Sequence, residues 1–431
     1  MTSTSAPSAT SAAPGSAEAE PRSNARSRDF QLLLAAAIVN NTGTEFTFLA
    51  LPLTAVLALH ASAGQVGLLG AAGTLAFLIV GLPSGVWVDR HRRRRVMIAA
   101  DTGTAIVLGT VPVAWWLGGL TIGHLVGAAF LTGICRVFFD VAAQSYLPSI
   151  VGQAEIVDAN AKLSGINSAS RLIGRSLGGY LIARIGGPAA FAVNSLTALW
   201  SALCVTFIRH REEPPAPRPD KPHLRREVVE GLRYVTRHPV LRAVAVSSAT
   251  LNLFVSINIT MLPVLFVDEL HLSPAAVGVF FAGSGAGAVV GSTLAPRMAQ
   301  RLGYGRMLWL LSICIAPLYF LLPLADRGAW LWIAGATYML MSFKSAADNV
   351  VLVSFRQRVT PHRLLGRMNA TMRFVLWGTI PVGAALAGLV GELTSPRTAL
   401  WVGVTGMAVA WIPAALSPLR AMRTLPPPAT D

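Results

Sequence analysis

Apolar positions in this chain come in long runs, without the every-other-residue alternation of a half-buried strand. Six runs occupy Phe30–Leu59, Gly64–Val88, Val96–Leu117, Ile122–Leu147, Asn160–Ile185 and Ala189–Ile208. A polar interval covers 209–240. Six further runs follow at Leu241–Val267, Ala275–Ala295, Met307–Leu324, Trp330–Val353, Asn369–Leu393 and Ala399–Leu416. A helix of this length reaches across the roughly 30 Å hydrocarbon layer of a bilayer. The pattern predicts an all-α membrane protein with about twelve transmembrane helices, and the ten-residue alternating segments of a membrane barrel are missing.

The runs divide the chain into a tail (1–29), a six-helix bundle (30–208), a linker (209–240), a second six-helix bundle (241–418) and a short tail (419–431). The first tail is rich in Ser, Ala, Thr and Pro and has no apolar signal region, so it reads as disordered and cytoplasmic. In the linker, Arg211-Glu-Glu-Pro-Pro-Ala-Pro-Arg-Pro is an extended spacer. Beyond it Leu224, Val228, Leu232 and Val235 form a helical stripe among arginines. That stripe predicts an amphipathic helix on the inner membrane surface, and a solvated linker helix fits it equally. The two bundles repeat. Val66-Gly67 matches Val277-Gly278 at an offset of 211, and Asn160-Ala161 matches Asn369-Ala370 at an offset of 209. The second register also places Gly174 and Gly179 on Gly383 and Gly388.

Charge changes the picture only in its placement. The chain has 431 residues, a net charge of +15 and 13% charged residues, about half the roughly 25% of a soluble domain. Most of its 35 lysines and arginines fall between alternate runs. These intervals are Arg90–Arg95, Arg209–Arg242, Arg297–Arg306 and Arg356–Arg373, together with both tails. The positive-inside rule makes these intervals and both termini cytoplasmic, with anionic lipid rather than nucleic acid as the partner of the charge. Cys135, Cys204 and Cys314 all lie within apolar runs without metal-ligand spacing and read as packing residues.

The second run ends in Gly81-Leu-Pro-Ser-Gly85-Val-Trp-Val-Asp89-Arg90-His-Arg-Arg-Arg-Arg95. Gly81 and Gly85, one turn apart, allow close approach of a neighbouring helix. Asp89 is a lone acid before five arginines, and a helix N-terminus would suit it. This stretch resembles the signature loop of the major facilitator superfamily, Gly-x-Leu-Ala-Asp-Arg-x-Gly-Arg-Arg. Gly85, Asp89, Arg90, Arg93 and Arg94 match it, and Arg92 stands at its second glycine. Three other stretches resemble the drug-exporter branch that includes macrolide and enterobactin exporters. They are Val137-Phe-Phe-Asp-Val-Ala-Ala-Gln-Ser-Tyr-Leu-Pro148, Asp158-Ala-Asn160-Ala and Thr360-Pro-His-Arg-Leu-Leu-Gly-Arg-Met-Asn369-Ala-Thr-Met-Arg373. Where exporters of other branches carry Gly-Pro-x-x-Gly-Gly, this chain has Gly174-Arg175-Ser-Leu-Gly178-Gly179.

The resemblance implies two pseudo-symmetric bundles around a central cavity, and a latch in which Asp89 meets the start of the eleventh helix near Arg367. It also gives the intramembrane ionisable residues their meaning, since each is costly in lipid and must face a cavity or a partner. Glu45 lies mid-run in the polar stretch Asn40-Asn-Thr-Gly-Thr-Glu45. Arg136 lies mid-run in the fourth helix, where many proton-coupled exporters carry a functional arginine, and Asp140 is one turn on. Glu45 and Arg136 are read as a pair that exchanges a proton with the transport cycle, as a static pair, or as two groups without contact. Lys344 and Asp348, one turn apart, are expected to neutralise each other rather than contact substrate. Arg171 and Arg175 either face the cavity or pair with Asp140. Asp101 is placed near the cytoplasmic end of the third helix.

No hydrolase, kinase, metal or ATP-binding constellation is present in the sequence, so no enzyme activity and no cofactor are expected. The resemblance implies a monomeric secondary exporter of amphipathic small molecules in the inner membrane, driven by a proton gradient. An importer of a polar solute and a non-transporting receptor on the same fold are the alternatives.

Overall fold

A computed structural model describes residues 22–151, 155–210, 212 and 224–423. Most of the Pro-rich spacer and most of both tails lie outside these residues. The described residues form helices joined by short turns, with no strand among them. Six long helices come first: α1 (Arg22–Leu59), α2 (Ala63–Asp89), α3 (Arg93–Trp116), α4 (Ile122–Val151), α5 (Ile156–Ile185) and α6 (Gly187–Phe207). After α7 (Leu224–Arg237) come α8 (Pro239–Val264, continued by a π-helical turn to Glu269), α9 (Pro274–Leu302) and α10 (Tyr304–Ile315, continued as 3-10 helix to Leu321). Then follow α11 (Ala329–Val359), α12 (His362–Leu393), α13 (Pro396–Val409) and the single turn α14 (Ile412–Ala415).

Ten of these helices, among the described residues, are long and apolar enough to cross a membrane. The two long helices outside that set are α5 and α11. At 30 and 31 residues they are long enough, but they carry Lys162, Arg171 and Arg175, and Lys344 and Asp348. With them the layout fits twelve spans. Boundaries follow local chemistry. Ser62 and Gln65 form a reciprocal capping box at the start of α2. Ser273 and Ser395 cap α9 and α13, each with proline in the first turn.

Two expectations need correction. The helix expected to begin at Phe30 begins at Arg22, inside the predicted tail. Asp29 is buried there, and its carboxylate accepts the backbone N–H groups of Arg209 (3.1 Å) and His210 (2.9 Å). The amphipathic helix ends at Arg237 and docks on protein. Val235 is buried, the Tyr234 hydroxyl donates to the Val359 carbonyl (2.9 Å), and a Cβ on Gly231 would lie 2.8 Å from the Arg367 carbonyl. The corner between α11 and α12 therefore holds α7, while Val229 and Leu232 stay exposed.

Helices α1–α6 pack on one another, as do α8–α14. The two groups meet mainly along α2 against α12 and α5 against α9. At the end remote from the arginines both seams close glycine on glycine. A Cβ on Gly67 would lie 2.7 Å from the Gly388 nitrogen, and one on Gly179 would lie 2.7 Å from the Gly278 Cα. These crossings are images of each other under the repeat, since Gly67 matches Gly278 and Gly179 matches Gly388. The Gly64 N–H also donates to Glu392 across the α2–α12 seam (2.9 Å).

Toward the arginine-rich end the groups part. The α2–α12 seam continues to Phe77 and Trp377, whose rings lie 5.0 Å apart. A Cβ on Gly85 would meet nothing within 4 Å, so the close approach expected at Gly81 and Gly85 occurs instead at Gly67. On α5 the polar residues Asn160, Lys162 and Asn167 are exposed. Polar side chains on a membrane helix in this position face water rather than lipid.

Candidate functional site

The polar centre of α1 organises the first bundle. Successive helical residues turn by about 100°, so neighbours in sequence address different helices. Asn40 Nδ2 donates to Asp101 of α3 (3.1 Å), and Asn41 Nδ2 to Asn167 of α5 (2.6 Å). The Thr42 hydroxyl lies 3.3 Å from that of Ser170 on α5, Gly43 packs against Asn194 and Thr197 of α6, and Thr44 accepts from Arg136 Nη1 of α4 (3.2 Å). Glu45 faces α5.

Glu45 does not meet Arg136. Its Oε2 accepts from Arg175 Nε at 2.8 Å, and Arg171 Nε stands 3.9 Å from its Oε1. Gly174 makes room for this contact, because a Cβ there would lie 2.8 Å from the Glu45 Cβ. Arg175 extends further. Its Nη1 donates to Ser284 of α9 (2.9 Å), and its guanidinium lies 4.3 Å from the Phe48 ring centroid. The arginine that stands where other branches carry proline thus ties α5 to α1 and, across the seam, to α9. Arg136 pairs with Asp140 one turn on (3.0 Å), so Arg171 and Arg175 do not serve Asp140.

Between the groups lies a cavity of about 490 Å³, bounded by α1, α2, α3, α4, α6, α8 and α12. Its walls are mixed. Phe48, Leu51, Leu69, Leu108, Phe139, Val255 and Ile259 supply apolar surface, and Thr44, Thr47, Thr104, Thr132, Asn194, Asn252 and Thr260 supply hydrogen-bonding groups. Its charged lining residues are Asp101 and Arg136. A volume of about 300–1,000 Å³ with an apolar lining and a few convergent polar groups suits a drug-sized molecule.

Lys344 and Asp348 pair as expected, Nζ to Oδ2 at 2.5 Å. They are buried within the second bundle, at a separate small pocket of about 60 Å³ that they share with Ser247, Trp309, Ser312 and Trp411. They therefore do not line the central cavity. In the signature loop Asp89 closes α2, and Arg93 opens α3, whose first N–H groups, those of Arg93 and Arg94, bind the Glu212 carboxylate (3.1 and 3.2 Å). Arg367, expected opposite Asp89, donates from Nη1 to Glu230 of α7 (2.6 Å). Asp101 lines the cavity as well, although the sequence singles it out only as an acid near the cytoplasmic end of the third helix; its place inside an apolar run is the signal that points to it.

Two six-helix groups enclosing a central polar-lined cavity, closed at one end and parted at the other, define a multi-pass membrane transporter. The family model described as Major Facilitator Superfamily matches residues 33–376, and the chain belongs to that superfamily. It is 28% identical over 372 residues to the multidrug efflux pump Tap of Mycolicibacterium fortuitum, covering 83% of this chain and 88% of that protein. It is 25% identical over 413 residues to the enterobactin exporter EntS of Escherichia coli O1:K1 / APEC, covering 93% and 95%. Among solved structures, the nucleoside transporter NupG aligns with a TM-score of 0.72 at 13% identity, covering 90% of this chain and 98% of that one. A bacterial homologue of the iron transporter ferroportin in an inward-facing state aligns with a TM-score of 0.72 at 15% identity, covering 90% and 98%. At these identities the structural matches speak to the fold alone.

Proposed function

We propose that this protein exports amphipathic small molecules across the cell (inner) membrane by proton antiport, with the arginine-rich end and both termini in the cytoplasm. The observation that carries this reading is the cavity of about 490 Å³, predominantly apolar with scattered hydroxyl and amide groups and with Arg136 and Asp101 as its charged lining. Such a lining takes up molecules with large apolar surface and a few polar handles, and it favours an exporter over an importer of a fully polar solute. The names of the relatives, a multidrug efflux pump and an enterobactin exporter, support the direction. The placement of the arginines supports the orientation, so the conformation described is inward-facing.

A thermal-shift screen of detergent-solubilised protein tests the cavity assignment, because a ligand of the native state raises apparent stability. Compounds that stabilise the wild type should fail to stabilise Thr132→Trp, which fills the cavity. Equal stabilisation of both would place the binding site elsewhere.

The latch belongs to the same proposal. Gly85, Asp89, Arg90 and Arg93 form the moving edge of the first bundle. In the outward-facing state Asp89 meets the start of α12, where Arg367 and the helix dipole both favour an anion. Asp89→Asn should then lower transport while leaving insertion and folding intact. Wild-type transport by that variant removes the latch.

A further inference from the structure

Asp101 is an acid at the central cavity that no cation meets. It is 2% exposed and lies roughly 12 Å along α3 from its first residue, at 1.5 Å per residue. Asn40 of α1 donates to its Oδ1 (3.1 Å), and its Oδ2 has no hydrogen-bond partner. Ser201 of α6 is its other polar neighbour, and the buried Ser201 hydroxyl likewise has no partner. The charged and titratable groups facing Asp101 all come from α4. They are Arg136, Asp140 and the thiol of Cys135. Packed against it from α1 and α6 are the uncharged Asn40 and Ser201.

Arg136 is already engaged by Asp140 at 3.0 Å and Thr44 at 3.2 Å, and it makes no ion pair with Asp101. Glu45, Asp140 and Asp348 each have a cation within 4 Å. Of these four acids set inside the described membrane helices, Asp101 is the one without a cation within 4 Å. An ionised carboxylate so placed would leave one oxygen desolvated and unbonded. A carboxylic acid completes the network, because its carbonyl oxygen accepts from Asn40 and its O–H on Oδ2 donates to the Ser201 hydroxyl.

We propose that Asp101 is a proton-binding site of the transport cycle, occupied in the conformation described here. When Arg136 is released from Asp140 and turns to Asp101, the O–H bond breaks, the proton passes to water in the cavity, and the guanidinium balances the carboxylate that remains. This use in transport rests on the proton-coupled reading above; the protonation itself does not.

Infrared spectra of the full-length protein in detergent are recorded at pH values from about 5 to about 8, all above the ordinary carboxylate pKa of roughly 4. They report the carbonyl stretch of any acid that still holds a proton there. The wild type should show such a band, Asp101→Asn should lose it, and Glu45→Gln should keep it. Asn40→Ala and Ser201→Ala should each displace the band, since Asn40 donates to the carboxyl and Ser201 accepts its O–H in the protonated network. These two variants also carry the test should Asp101→Asn not fold. A band that survives Asp101→Asn, a band unmoved by both neighbouring substitutions, or no band in the wild type overturns the proposal. Should the band behave as expected while transport in liposomes ignores a pH gradient, the proton site stands and the antiport reading falls.

Discussion

The glycine crossings make a quantitative prediction about alternating access. Gly67→Ala places a Cβ 2.7 Å from the Gly388 nitrogen and 2.9 Å from the Ala384 carbonyl. Comfortable non-bonded separations are about 3.5–4.0 Å, so α2 and α12 must separate by the better part of an ångström. Overpacking of this kind costs about 1–3 kcal/mol. The cost is borne only in the conformation that closes this end, so it raises the population open at this end by about 5–150-fold. Gly278→Ala, the image of Gly67 under the repeat, meets the Arg175 carbonyl at 2.7 Å and should act the same way. Gly85→Ala, with nothing within 4 Å, should not. The assay places one cysteine at Thr132 on the cavity wall, after replacement of Cys135, Cys204 and Cys314. An impermeant maleimide is then applied from the side opposite the arginines. Its reaction rate follows the population open to that side. An unchanged rate in both Gly67→Ala and Gly278→Ala, with folding intact, or an equal rise in Gly85→Ala, would refute the reasoning.

Other perturbations probe the remaining contacts. Arg175→Ala leaves Glu45, 16% exposed, with only Arg171 at 3.9 Å. Breaking a fully buried pair costs about 3–5 kcal/mol, so a loss of about 2–3 kcal/mol is expected at this partly wetted site. Thermal unfolding in detergent measures the loss, and a change indistinguishable from zero would show the pair to be energetically idle. Single cysteines at Arg92, Arg225, Arg301 and Arg363 should escape an impermeant reagent applied to intact cells, and rapid labelling of any of them would invert the topology.

Much of the architecture could be read directly from the chain, because bilayer thickness imposes a period that folding partners cannot alter. The apolar runs come from that constraint, the arginine clusters between alternate runs follow the positive-inside rule, and the internal repeat is visible as matched positions in the two halves. The Lys344–Asp348 pair was equally readable, since i and i+4 on one helix are neighbours whatever surrounds them. Partners on different helices were not readable. Glu45 meets Arg175 rather than Arg136 because α1 turns that residue toward α5, and rotation of a helix about its own axis is set by packing. The repeat revealed matching glycines, but only the packed structure pairs them crosswise, Gly67 with Gly388 and Gly179 with Gly278. Asp101 is legible as an acid near the cytoplasmic end of the third run, but whether it faces water or the cavity depends on packing against α1 and α6, which the sequence does not show. The docking of α7 escaped notice because an apolar stripe on a short helix does not say whether lipid or protein covers it.

In the proposed cycle the outward movement of a small molecule through this cavity is exchanged for protons. Purified protein in liposomes tests this exchange, using a compound that stabilises the wild type and fails to stabilise Thr132→Trp. Its accumulation should follow an imposed pH gradient, reverse when the gradient is reversed, and collapse when a protonophore dissipates it. The lumenal pH should shift in step as protons move the opposite way. Flux of the same compound that is indifferent to the size and sign of the gradient, with no coupled proton movement, would rule out proton antiport.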